Sequence, residues 1–148
     1  MVDVSSKNIT LREASACGVI EMLASSAEMV RKGDGKKGDV LSVARLAAIG
    51  GVKWTQHLIP LCHAIPIEAV SVEFSFEDRE SNEPIERLRC TVTARTSGKT
   101  GVEMEAMTGA SIALLTVYDM IKSIDRHAWL GEIRLLSKSG GKSGQWNR

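Results

Sequence analysis

Aromatic side chains are scarce in this sequence, at 4% of its 148 residues. That leaves no stacking surface for single-stranded nucleic acid. Charge of one sign is lacking too. Nineteen lysines and arginines stand against 18 acidic residues, a net charge of +1, so no global field recruits nucleic acid or an anionic membrane. Cysteine is sparse and scattered. Cys17, Cys62 and Cys90 make no disulfide framework and no CxxC pair, which fits a reducing, cytoplasmic compartment. No stretch approaches the ~20 apolar residues of a membrane-spanning helix. The start, Met1-Val-Asp-Val, lacks the basic and apolar regions of a signal peptide.

What is present is the balance of a globular chain, 43% hydrophobic and 25% charged, of a length that suits one domain over residues 1–148. Alternation predicts a strand over Thr10–Gly18, followed by a short helix over Ile20–Arg31. A basic glycine loop, residues 32–38, leads to Asp39, a good N-cap. The apolar stripe of Val40, Leu41, Val43, Ala44, Leu46 and Ala47 then predicts a helix running toward Trp54. Gly50-Gly51 weakens that helix and marks a place where another backbone packs closely. Strands are expected over Ala69–Phe76 and Arg87–Ala94, joined by a polar turn over Arg79–Pro84. A second long helix spans Gly101 to Ser123, and a last strand Glu132–Leu136. The tail, residues 137–144, reads as a flexible glycine-serine-lysine loop. Helices interleaved with an antiparallel hairpin give an α+β sandwich with the helices on one face.

Several segments are richer in polar groups than packing requires. Gly98-Lys99-Thr100 and Gly141-Lys142-Ser143 look like the end of a P-loop, but Thr93 and Leu136 stand where its first glycine belongs. Such loops still offer backbone donors and ammonium groups to phosphate oxygens. Cys62-His63 does not make a metal site. Adjacent residues cannot easily aim two ligands at one tetrahedral ion, and His57 is alone six positions away. Asp119 and Lys122 lie three apart and share a helix face, either as a surface ion pair or as a coupled acid and base. Glu105 and Asp119, fourteen residues apart on one predicted helix, are about 21 Å apart along its axis. One reacting atom cannot touch both within a single chain; if both serve one site, either the ligand is long or a second subunit supplies Glu105.

Taken in order, the motifs Met1-Val-Asp-Val-Ser, Arg12-Glu-Ala, Lys37-Gly-Asp-Val-Leu, Ala44-Arg-Leu-Ala, Leu58-Ile-Pro-Leu-Cys-His63, Thr100-Gly-Val-Glu-Met-Glu-Ala106, Leu115-Thr-Val-Tyr-Asp-Met120 and Lys138-Ser-Gly-Gly-Lys-Ser-Gly144 resemble the molybdenum-cofactor biosynthesis protein C family, the cyclic pyranopterin monophosphate synthases. Each motif alone is weak; together, spanning nearly the whole chain, they are specific. The resemblance implies a ferredoxin-like α+β fold and a homohexamer, a trimer of dimers with sites between subunits. It implies a nucleotide substrate, the 3′,8-cyclised dihydroguanosine 5′-triphosphate, rearranged to a pyranopterin with release of diphosphate. It implies no cofactor and no metal site. Carried over by motif, Asp119, Lys122 and Lys37 are the catalytic groups. Leu61, Cys62, His63, Met104 and Glu105 contact substrate, and Arg12, Lys53, Lys99, Lys138 and Lys142 contact phosphate. Ala64 departs from the family's usual proline. A lysine crowded by cations and partly desolvated has a lowered pKa and serves as a base. The rival reading is a non-enzymatic nucleotide-binding module.

Overall fold

The computed structural model describes residues 1–78 and 84–148. In chain order the elements are β1 (Thr10–Leu23), α1 (Ala24–Lys32), α2 (Val40–Leu58), β2 (Ala69–Phe76), β3 (Ile85–Gly98), α3 (Glu103–Ile121), β4 (Trp129–Ser139) and β5 (Trp146–Asn147). The strands form one antiparallel sheet in the order β2-β3-β1-β4-β5. Its first four positions, with α2 and α3 as the crossing helices, give the expected ferredoxin-like α+β sandwich.

The register of β1 on β3 decides which side chains meet the helices. Ala14 lies opposite Ala94, Ala16 opposite Val92 and Ile20 opposite Leu88, and all six are at most 1% exposed. Against this face α3 buries Ala106, Ala110, Ala113, Leu114 and Val117. Removing each large aliphatic side chain from water stabilises the fold by about 1.5–3 kcal/mol. Packing between α2 and α3 is close because glycines face it. A Cβ on Gly109 meets Val52 Cγ2 at 2.7 Å and Val92 Cγ1 at 3.0 Å, and one on Gly51 meets Ile112 Cγ1 at 2.9 Å. Gly50 has open space around it and Gly51 meets the Ile112 side chain, so neither glycine of the pair meets the expected second backbone.

The alternate residues of the same strands carry ion pairs. Glu13 pairs with Arg95 at 2.6 Å, and Arg87 binds Glu21, Glu77 and Glu132 from β1, the end of β2 and β4. That network spans four neighbouring strands.

Three expectations need correction. Ile20–Leu23 belongs to β1, and the helix starts only at Ala24. Cys17, Val19, Ile20 and Met22 are all buried, so this central strand hides both faces and loses its alternation. The last strand, β4, extends three residues beyond each end of the expected Glu132–Leu136. The tail is not a loose loop: Ser137–Ser139 complete β4, and β5 pairs with it through Ser137↔Asn147 and Lys138↔Trp146. Of the polar turn at Arg79–Pro84, residues 79–83 lie outside the described residues. Among the described residues no helix is long and apolar enough to cross a membrane.

Candidate active site

Asp119 sits in the last turn of α3, and Lys122, which caps that helix, folds back to it with Nζ 2.6 Å from Oδ1. Lys37 arrives from the loop between α1 and α2. Gly33, with φ 70°, ends α1, and Gly38, with φ 98°, turns the chain into α2, conformations that favour glycine. Asp39 then caps α2 by accepting from the amides of Leu41 and Ser42 at 3.0 and 3.1 Å. Held between these fixed ends, Lys37 places Nζ 2.6 Å from Asp119 Oδ2 and 3.3 Å from the Asp119 carbonyl oxygen. Three residues singled out in the sequence, with Lys37 and Asp119 82 positions apart, thus meet in one chain.

Their electrostatics follow from the geometry. Hydrogen bonds from Lys122 first, then Lys37, hold the Asp119 carboxyl down at about 2. The same carboxylate pushes Lys122 up. The expected lowered lysine pKa is therefore overturned for Lys122, because an anion, not another cation, is its nearest charged neighbour. The cluster rests as one carboxylate between two ammonium groups. Asp119 becomes a proton acceptor of ordinary strength only when an anionic ligand draws the lysines away, whereas each ammonium can donate a proton or neutralise a phosphate oxygen as it stands. Beside it, Tyr118, Lys122, Ser123 and Arg126 line a shallow cleft of about 370 Å³.

The other end of α3 carries two adjoining clefts. One, of about 720 Å³, is lined by Lys7, Arg12, Lys99, Lys138 and Lys142 against only two carboxylates, Glu13 and Glu103. Arg12 is oriented by the carbonyls of Gly98 and Lys99 at 3.3 and 3.5 Å. Gly140 and Gly141, with φ 92° and 74°, turn residues 138–143 back onto β1, where a Cβ on Gly140 has no room beside the Leu11 carbonyl and one on Gly141 would displace the Arg12 guanidinium. Lys138 pairs with Glu103 at 3.1 Å and donates to Ser143 Oγ at 3.0 Å. The supposed flexible tail is thus a fixed wall.

The second cleft, of about 610 Å³, is lined by Leu61, Cys62, His63, Met104 and Glu105, with Val2 and Val4 of the N-terminal segment across from them. His63 Nε2 donates to the Val2 carbonyl at 2.8 Å. Glu105 is 4% exposed, and burial raises its carboxyl pKa. Among the described residues it has no ion-pair partner. Burial, then the nearby Glu105, also raises the Cys62 thiol, which argues against a thiolate nucleophile.

Of the candidates, Lys37, Asp119 and Lys122 gather at one end of α3, and Leu61, Cys62, His63, Met104, Glu105, Arg12, Lys99, Lys138 and Lys142 at the other. Lys53 is exposed on α2 and lines none of these clefts. Glu103, Lys7 and Arg126 line clefts without having been singled out. Glu103 stood inside the Thr100–Ala106 motif two places before Glu105; nothing in the spacing marked Arg126.

These features define a ferredoxin-like α+β protein with a cation-rich cleft and an adjoining, more apolar one at one end of its second long helix and a lysine–aspartate–lysine cluster at the other. The family model for the MoaC family matches residues 1–141, and the chain belongs to that family. It is 60% identical over 152 aligned positions, covering 100% of this chain and 87% of the relative, to a cyclic pyranopterin monophosphate synthase of Rhodopirellula baltica.

Proposed function

We propose that this chain is a lyase of molybdenum-cofactor biosynthesis. It converts 3′,8-cyclised dihydroguanosine 5′-triphosphate to cyclic pyranopterin monophosphate and releases diphosphate. Family membership and the relative's name support the reaction. The observation that carries the site is the meeting of Lys37, Asp119 and Lys122. Closing the cyclic phosphate forms a bond from a sugar hydroxyl oxygen to the α-phosphorus and breaks the bond from that phosphorus to the bridging oxygen. The hydroxyl loses its proton, and the diphosphate leaves with its added charge neutralised by cations. Purine ring opening needs further proton transfers and no redox step. A carboxylate between two ammonium groups suits both tasks.

The clefts divide the substrate by chemistry. Arg12, Lys99, Lys138 and Lys142 suit the triphosphate. Leu61, Cys62, His63, Met104 and Glu105 suit the ring system, Glu105 as a carboxyl raised toward the range of a general acid. Because the Asp119 cluster lies about 21 Å along α3 from Glu105, each site takes the cluster from one subunit and the clefts from its neighbour. A homohexamer of three dimers supplies such pairs, and Lys53, exposed and outside the clefts, reaches phosphate across a subunit boundary. The cytoplasm is the fitting compartment.

The deciding experiment is incubation of purified protein with the cyclised nucleotide, with diphosphate and pyranopterin assayed together. Both should form in equal amounts. Tight nucleotide binding without diphosphate release would instead establish a non-enzymatic binding module.

A further inference from the structure

Asp125 is a buried acid with no part in the clefts or in the cluster described above. It stands in the turn that follows α3 and is 2% exposed. Among the described residues no cation pairs with it. Burying a charge without a partner is costly, and here two backbone amides offset the cost. One is the amide of Ala128, within the same turn, at 3.1 Å from Oδ1. The other is the amide of Leu23, 102 positions away, at 2.7 Å from Oδ2.

That second bond falls on a junction. Leu23 ends β1 and is the N-cap of α1. The next amide, that of Ala24, is taken by the Pro84 carbonyl at 2.9 Å. The helix brings no cap of its own, for Leu23 has no capping side chain and the first turn has no acidic residue. Ser26 stands at the third helical position, from which a carboxylate reaches back to the N-cap amide in a capping box. Its buried hydroxyl has no hydrogen-bond partner among the described residues. Asp125 supplies that carboxylate from a distant part of the chain, at the helix end where peptide dipoles favour negative charge.

The two segments so joined are the ones that build the lysine–aspartate–lysine cluster. Before Asp125, the end of α3 carries Asp119 and Lys122, and the Ile121 carbonyl accepts from the amides of Ile124 and Asp125 at 2.9 and 3.0 Å. After Leu23, α1 runs nine residues to Lys32, and the loop beyond it delivers Lys37. Arg31, in the last turn of α1, binds Glu86 and lies over the Phe76 ring at 3.8 Å. Asp125 thus holds α1 at its start and the sheet holds it at its end. Lys122 reaches Asp119 within one helix and needs no such tether. Lys37 does.

We propose that Asp125 is a positioning residue: by binding the Leu23 amide it fixes the start of α1 against the end of α3 and so sets where Lys37 meets Asp119. This rests on the reading of that cluster as catalytic. A carboxylate that only shaped its own turn would act through Ala128 and not through Leu23.

The test uses the full chain with Asp125→Ser and Asp125→Ala. Serine still accepts from a nearby amide, as it does at helix N-caps, but its hydroxyl ends one bond short of Leu23. Both variants lose the tether, and only alanine loses the turn as well. Diphosphate release is measured per folded chain, below the melting temperature. In both variants kcat should fall about ten- to a hundredfold, the cost of a misplacement of ~1 Å, with KM changed less than about twofold. On a Lys37→Ala background the same substitution should lower kcat by less than about twofold more, because the contact it sets is already gone. In a structure of Asp125→Ser, Lys37 Nζ should lie beyond about 4 Å from Asp119 Oδ2, outside hydrogen-bond reach, with Lys122 still paired.

A serine variant with the parent's kcat overturns the proposal, since the turn alone then suffices. So does a loss of the same factor with and without Lys37, or a Lys37–Asp119 contact that stays at 2.6 Å in the variant. Where serine folds poorly, alanine goes through the same cycle and the same structure determination, with the same expectations. An unmodified chain that releases no diphosphate would sink the lyase reading, and the position of Lys37 in the variant then decides this one by itself.

Discussion

Asp119 accepts hydrogen bonds from two lysines that approach it from different parts of the chain, and its chemistry is set by both. Asp119→Asn and Lys122→Ala should each lower kcat by about 10²-fold or more, the usual weight of a positioned acid or base. All three side chains are about half exposed, at 51–54%, so their pairing contributes only slightly to stability and both variants should melt close to the parent; a nearly preserved circular-dichroism melt beside lost diphosphate release checks this. The carboxyl also gives a pH signature. Its pKa is depressed from 3.8 to about 2, so the stabilisation from pairing is present above about 3.8 and is lost as pH falls through about 2. The Asp119 carboxyl carbon resonance should titrate near 2, and should move toward 3.8 when Lys122 and Lys37 are both replaced by alanine. A midpoint that stays put in that double variant would contradict the pairing. The Asp119–Lys122 pair was legible in the sequence from its spacing of three. The arrival of Lys37 was legible only through the family resemblance, because a loop's path depends on its anchors and not on its own residues. Lys7 and Glu103 escaped notice for another reason: a lysine or glutamate beside a cleft looks like a solvated one until the cleft is seen.

Among the elements, α2 and α3 were readable because each keeps an apolar stripe of helical period, and β2 and β3 because one of their faces is wet. The end of β1 was not. Val19-Ile20-Glu21-Met22-Leu23 is nearly continuous in apolar character, as a strand at the centre of a sheet must be, and so carries no period of two. The tail misled in the opposite direction: its glycines adopt left-handed turn conformations, and Gly140 also lies against the Leu11 backbone, so they mark fixed turns and not flexibility. The glycines of the helix pair give a matched test. Gly50→Ala has room and should gain up to about 1 kcal/mol from helix propensity. Gly109→Ala presses on Val52 and Val92 and should lose about 1–3 kcal/mol, as overpacked sites do. Urea melts of the two variants check the opposite signs; equal effects would mean that the α2–α3 contact is looser than the distances imply.

At the scale of the molecule, α3 keeps the lysine–aspartate–lysine cluster and the candidate clefts apart, so a site that uses both needs a long ligand or, as proposed above, two chains. Glu105→Ala and Asp119→Asn chains, unfolded, mixed and refolded together, should therefore complement. Random pairing yields about half heterodimers, each with one intact and one doubly altered site, and activity should return to roughly a quarter of the parent's. Mixtures that stay inactive while mass analysis confirms heterodimers would show that one chain makes the whole site. The same helix also polarises its two ends. Its peptide dipoles leave roughly half a negative charge at the carbonyl end, where Asp119 adds a whole one. A carboxylate there is disfavoured by the helix itself, whereas ammonium groups are welcome, and Lys37 already touches the Asp119 carbonyl. Asparagine at position 119 should thus leave both lysines seated on the helix end by the backbone's own field. The lost turnover of that variant then reports the missing carboxylate and not strayed lysines. A structure of Asp119→Asn with Lys37 Nζ beyond about 4 Å from that carbonyl oxygen, outside hydrogen-bond reach, would show the opposite.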